Sequence, residues 1–155
     1  MFFQSSRIVA LATIAVCTLP CFAQLTPKSS KPKISQAQVA SKSAFPTVSA
    51  SDASVKAALP ATDLTKARTK LNKTATFVGL VTELYLPKNG KRVLIDFAPD
   101  YKKAVIGLVD AKSFKTFPDL RQLKKKRVLL SGKVVAYQEQ IQVELTSASS
   151  IRIVK

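Results

Sequence analysis

The side chains in this chain best suited to chemistry are cations and phenols gathered in three places: Lys88, Lys91 and Arg92; Tyr101, Lys102 and Lys103; and Tyr137. Ammonium and guanidinium groups neutralise phosphates and release their counterions, while a tyrosine face accepts a stacked ring. Such a set suits holding an anionic polymer rather than transforming one. The usual parts of a catalyst are missing. The 155 residues include no His and no Trp, which removes the commonest general base and the commonest transition-metal ligand. Asp96 and Asp100 are the one close carboxylate pair near the candidate residues. Without a third ligand or a His they make a poor metal site and a poor acid–base pair. The expectation is a binding module that is not an enzyme, with no cofactor and no metal site.

Charge points the same way. With 25 Lys and Arg against 9 Asp and Glu the chain carries a formal +16, an imbalance that steers a protein toward anionic partners and says nothing about its fold. The first residues suggest export. Phe2, Phe3 and a single Arg7 precede an apolar run from Ile8 to Leu19, then Cys21, Phe22 and Ala23, and polar sequence follows. That is the layout of a secretory signal peptide over 1–23, with cleavage expected after Ala23 and a periplasmic or secreted product. The run is about a dozen residues, short of the roughly twenty that span a bilayer, so no stable membrane span is expected after cleavage. Cys17 and Cys21 both fall inside the leader. The mature chain would hold no thiol, and its fold must rest on a hydrophobic core without disulfides.

Two textures follow. Residues 24–71 are rich in Ser, Lys, Ala and Pro and contain no glycine, and they read as a disordered basic tail that buries too little to offset its backbone entropy. One short helix fits near its end, capped by Thr62 or Asp63 and running through Leu64, Ala67 and Leu71. All four glycines lie beyond Asn72, and 72–155 read as the folded domain. Its apolar residues alternate with period two in five runs. The first, Lys73 to Leu86, is long, with Gly79 near its middle to let it bend into both halves of a barrel. Pro87-Lys88-Asn89-Gly90 then supplies an Asn-Gly hairpin turn. The second run is Arg92 to Phe97 and the third Lys103 to Val109. Between Asp110 and Leu123 the spacing of Phe114, Phe117, Leu120 and Leu123 predicts one short helix that Pro118 interrupts. Strands from Arg127 to Tyr137 and Gln140 to Thr146 follow, and Ile151 with Ile153 could close an edge.

Three strands, a helix and two strands in this order predict an all-β fold, the five-stranded Greek-key OB-fold barrel, with one short helix between strands three and four. The letters carry a resemblance as well. Asn72-Lys73-Thr74-Ala75-Thr76-Phe77-Val78-Gly79, Leu94-Ile95-Asp96-Phe97, Ala104-Val105-Ile106, Phe117-Pro118-Asp119-Leu120 and Lys126-Arg127-Val128-Leu129-Leu130-Ser131-Gly132-Lys133-Val134 resemble nucleic-acid-binding OB domains of the replication protein A and tRNA-anticodon-binding type. The resemblance implies binding across strands two and three, between the loops joining strands one to two and four to five. Gln138-Glu139-Gln140 departs from the Gly-x-Pro-type turn frequent there.

On this reading the nucleic-acid-binding residues are Lys88, Lys91, Arg92, Tyr101, Lys102, Lys103 and Tyr137. The expected ligand is single-stranded DNA or RNA, held with weak sequence preference. An alternative is an envelope-interaction module that meets an anionic glycan, a lipid head group or a protein, favoured by the aliphatic character of Val78, Leu80, Leu94 and Val105, which are expected to face outward. A third is that the tail is the functional part, an electrostatic tether. The densest basic run, Lys124-Lys125-Lys126-Arg127, is expected on the side away from the binding face. The oligomeric state stays open at this point.

Overall fold

The computed structural model describes residues 43–155; the leader at 1–23 and the stretch 24–42 lie outside the described residues. Alternating apolar residues between Thr74 and Leu145 fold into a curled sheet. The long first run bends as expected, into β3 (Thr74–Leu80) and β4 (Glu83–Tyr85) on either side of Val81 and Thr82. β4 turns through Pro87 to Gly90 into β5 (Arg92–Asp96). There the Gly90 amide donates to the Pro87 carbonyl at 2.9 Å. Gly90 takes φ 62°, the left-handed conformation that a glycine adopts without a side-chain clash. β6 is Ile106–Asp110, β7 Arg127–Tyr137 and β8 Gln140–Leu145.

The pairing runs β4–β5–β6 antiparallel, β6–β8 parallel, and β8–β7–β3 antiparallel. Since β3 continues into β4, the circuit closes on itself through the bend. This mostly β, curled architecture is consistent with an OB-like fold. Phe77, Val93, Ile95, Val109, Leu130, Val134 and Val143 fill its interior.

Several expectations need correction. Besides the five runs there are two short strands that were not expected, β1 (Thr47–Val48) and β2 (Leu59–Pro60), whereas Ile151 and Ile153 do lie on an added strand, β9 (Ile151–Val154), with β9 pairing β7 and β1 pairing β9. The third strand begins at Ile106 rather than Lys103, because Asp100 caps a 3₁₀ turn over Tyr101–Lys103 instead. In place of one helix between β6 and β7 there are two 3₁₀ turns, Ala111–Thr116 and Leu120–Leu123, capped by Asp110 and Asp119 and separated by Pro118. Their three-residue spacing of apolar side chains suits the 3₁₀ repeat as well as the α one. Val105 was expected to face outward, yet it is fully buried in the core, its amide donating to the Ala61 carbonyl at 2.8 Å.

The largest correction concerns the tail. From Ser43 onward the segment assigned to it is folded, so the boundary at residue 72 does not separate tail from domain. Two short helices form: α1 (Ala53–Ala57), capped by Asp52, was not expected, while α2 (Leu64–Arg68), capped by Asp63, is the short helix that was. Phe45, Ala61 and Ala67 join the main core, with Leu59, Leu64 and Leu71 packed against it. Val48 and Val55 pack with Leu129, Val78 and Val154 in a second, smaller cluster. The segment lacks a periodic pattern because it lies on the curled sheet as a strap, fixed by single apolar anchors rather than by a continuous face. Gly79 makes room for it, since a Cβ there would sit 2.8 Å from the Ala61 Cβ and 2.6 Å from the Phe97 ring. No helix among the described residues is long and apolar enough to cross a membrane.

Candidate functional site

Register decides which side chains share the outer surface. Paired residues point to the same side, so Leu94, Leu108, Glu144 and Lys133 form one outward row across β5, β6, β8 and β7. Asp96, Ile106, Gln142 and Val135 form the next. Asp96, Ile106 and Gln142 are buried although they face away from the core, whereas Leu94 and Leu108 are half-buried. The second row lies next to two connections. The chain leaves Asp96, passes through 97–105 and returns at Ile106, while Val135 leads into the Tyr137–Gln140 turn and back to Gln142. Both connections therefore rise at one end of this face.

That neighbourhood creates a cleft of about 580 Å³ walled by Arg68, Tyr101, Lys102, Gln138, Glu139 and Gln140. Three elements position these walls. Asp100 accepts the Lys102 amide at 3.0 Å and so fixes the turn carrying Tyr101 and Lys102. Gln138 and Glu139, at φ 44° and 65°, make a tight two-residue turn between β7 and β8. The third element is α2, whose N-terminal Asp63 accepts the Lys66 amide at 3.0 Å, a bond that holds the Asp63 carboxyl below the usual carboxylate range. α2 ends at Arg68 and delivers that cation to the cleft.

At the other end of β5, Arg92 brings its guanidinium carbon to 6.0 Å from the centre of the Tyr137 ring. An exposed cation–π contact of this kind contributes about 0.5–1 kcal/mol. Two residues from opposite ends of the face can meet only because the sheet coils strongly. Tyr101 and Tyr137 are 45% and 49% exposed, and with Leu80 they are the exposed large hydrophobic side chains of the described residues.

The expected site residues thus divide. Arg92 meets Tyr137, and Tyr101 and Lys102 share the cleft. Lys88, Lys91 and Lys103 are exposed and are not among its walls. Lys88 and Lys91 flank the Asn-Gly turn, whose Asn89 Oδ1 accepts the Lys91 amide at 3.1 Å. Sequence reasoning missed Arg68, Gln138, Glu139 and Gln140. The helix spacing of Leu64, Ala67 and Leu71 placed Arg68 on an ordered turn, but assigning the segment to a tail hid it. Asp100 serves as a turn cap, and the carboxylate directly opposite Asp96 across the sheet is Glu83. Among the described residues no three His, Cys, Asp or Glu side chains cluster as metal ligands would. Lys124 to Arg127 lie at the start of β7, the end opposite Tyr137, with Leu80 beside Arg127 in the register.

No protein-family model and no curated protein matches the chain. Among solved structures it is similar to an aspartyl tRNA synthetase from Entamoeba histolytica, with 16% identity over 79% of this chain and 26% of that one and a TM-score of 0.47. The chain thus spans about a quarter of the synthetase. It is also similar to the OBody AM1L10 bound to hen egg-white lysozyme, with 17% identity over 55% of this chain and 82% of that one and a TM-score of 0.36.

Proposed function

We propose that the protein is an exported, non-catalytic OB-fold module that binds single-stranded nucleic acid with weak sequence preference. The fold part of this reading rests on the strand circuit, in which strand one serves both halves and strands three and five pair in parallel. The functional part rests on one observation: two of the three exposed large hydrophobic side chains among the described residues are tyrosines, Tyr137 at the end of β7 and Tyr101 on the turn between β5 and β6, each beside a cation. Phosphates would meet Arg92, Lys102 and Arg68, with Lys88, Lys91 and Lys103 extending the positive rim. Bases would stack on the two phenol rings, a mode indifferent to base identity. Export rests on the leader-like residues 1–23.

Fluorescence anisotropy with a labelled single-stranded oligonucleotide tests the reading. Binding is expected at low salt and should weaken steeply, by roughly an order of magnitude or more between 50 and 200 mM salt if several phosphates are neutralised. No binding at 50 mM salt at up to about 100 μM protein, a range that already includes ordinary non-specific affinity, overturns it.

A further inference from the structure

The cleft between α2, the Tyr101 turn and the β7–β8 hairpin has properties that a general basic groove does not need. We propose that it is a pocket for one nucleotide unit, a planar base bearing a single phosphate group, presented either as a free nucleoside monophosphate or as the phosphorylated end of a strand. The strand-end source rests on the nucleic-acid reading above; the pocket itself rests on its walls.

Its volume of about 580 Å³ falls in the range of small-molecule sites. No wall residue is aliphatic, so apart from the Tyr101 ring the cleft offers little to a lipid chain or an apolar side chain. Tyr101 presents a half-exposed ring for a flat ligand. Arg68 and Lys102 provide two cations for a phosphate, and an arginine suits bidentate contact with one. Glu139 adds a carboxylate that repels further phosphates, which favours a single phosphate over a continuous backbone. The amides of Gln138 and Gln140 can each donate and accept, as the polar edge of a base requires.

The hairpin supplies the second argument. A two-residue turn with both residues at positive φ is ordinarily Asn-Gly or Asp-Gly. At 138 and 139 this chain instead holds Gln and Glu in the left-handed region, at φ 44° and 65°. Backbone strain of this sort persists only where the surrounding structure fixes it, and it clusters at functional sites, although Asn72 and Lys125 adopt the same conformation away from the cleft. Gln138 and Glu139 both line the cleft. Arg68 arrives from the strap, so the pocket is complete only when the strap is docked.

Adenosine monophosphate, adenosine and inorganic phosphate, titrated into the full-length protein and followed by backbone amide NMR, test the proposal. The monophosphate should shift the amides of Tyr101, Lys102 and Gln138 to Gln140 saturably, and adenosine or phosphate alone should bind at least about tenfold more weakly. Arg68→Ala and Tyr101→Ala should each weaken the monophosphate by about tenfold or more. The double variant Gln138→Asn with Glu139→Gly relaxes the turn, so it should melt no lower than the parent while still losing affinity, which separates the pocket from any failure to fold. No shifts at those amides, or affinity unchanged in Arg68→Ala, overturns the pocket. Inorganic phosphate binding as tightly as the monophosphate does so too. An oligonucleotide tests the source: tighter binding when it is terminally phosphorylated, lost in Arg68→Ala, supports the strand end. Monophosphate binding without oligonucleotide binding would leave the pocket standing and remove the nucleic-acid reading. Oligonucleotide binding without monophosphate binding would do the reverse.

Discussion

On the outer side of β3, β7 and β9, Val78, Leu129 and Val154 lie under Val48, Val55 and Ala58 of the strap. On the outer side of β5 and β6, Leu94 and Leu108 keep part of their surface open, near the end where Tyr101, Lys102 and Tyr137 stand. In the sequence these two sets look alike, since each is an aliphatic residue alternating with core positions. The difference is what covers them. The chain uses residues 43–71 to bury one face and leaves cations and phenols around the other, so among the described residues the second face is the more open of the two. An outward aliphatic residue in a strand is therefore not by itself a binding surface.

The comparison makes separable predictions. Leu129→Ala on the covered face should have the largest effect, about 2–5 kcal/mol of stability, because it empties a site with almost no solvent access. Thermal or urea unfolding would measure this. Where the variant is still folded, its oligonucleotide affinity should equal the parent's; a variant that loses affinity instead would break the distinction between the faces.

Tyr137→Ala on the open face should reverse the pattern. It removes a stacking surface and the ring under Arg92, so oligonucleotide affinity should fall by roughly 1–3 kcal/mol, while stability should change by no more than about 1 kcal/mol, the size of an exposed cation–π contact. Anisotropy and unfolding on one preparation would show whether the two effects part in this way.

The smallest effect belongs to neither face. Asp119 accepts the Arg121 side chain and, at 2.8 Å, its amide, which holds the Asp119 carboxyl below the usual range. A depressed carboxyl contributes stability that is present above its unfolded value and lost as pH falls through its folded one. Asp119→Asn should therefore lower stability slightly near neutrality and flatten its decline below about pH 4. Because the pair is partly exposed, the change should be a fraction of that seen for Leu129→Ala. An equal decline in parent and variant would show that this carboxyl has no share in acid sensitivity.

The curled sheet was legible because its signals are local. Period-two alternation gave the inward positions Val93, Ile95, Val134 and Val143, and Asn89-Gly90 fixed one hairpin. The strap was not, because Phe45, Val48 and Val55 are single large apolar residues in a glycine-free stretch whose apolar residues follow no sustained period. Their burial depends on a surface already built elsewhere, and no short-range pattern encodes that. The site divides along the same line. Arg92 and Tyr137 lie on strands whose faces could be read, but their meeting depends on how strongly the sheet coils. Arg68 reaches the cleft only through the strap, and the Gln138-Glu139 turn lacks the glycine or asparagine that ordinarily marks left-handed backbone.

The claim that one face is left open for an anionic strand is tested most directly by lysine acylation of the full-length protein with and without a saturating single-stranded oligonucleotide, read by mass spectrometry. Lys88, Lys91, Lys102 and Lys103 should lose reactivity in the complex, while Lys124, Lys125 and Lys126, equally exposed in the free protein, should keep theirs. Protection concentrated on Lys124 to Lys126 instead, or spread evenly over all the exposed lysines, would contradict it.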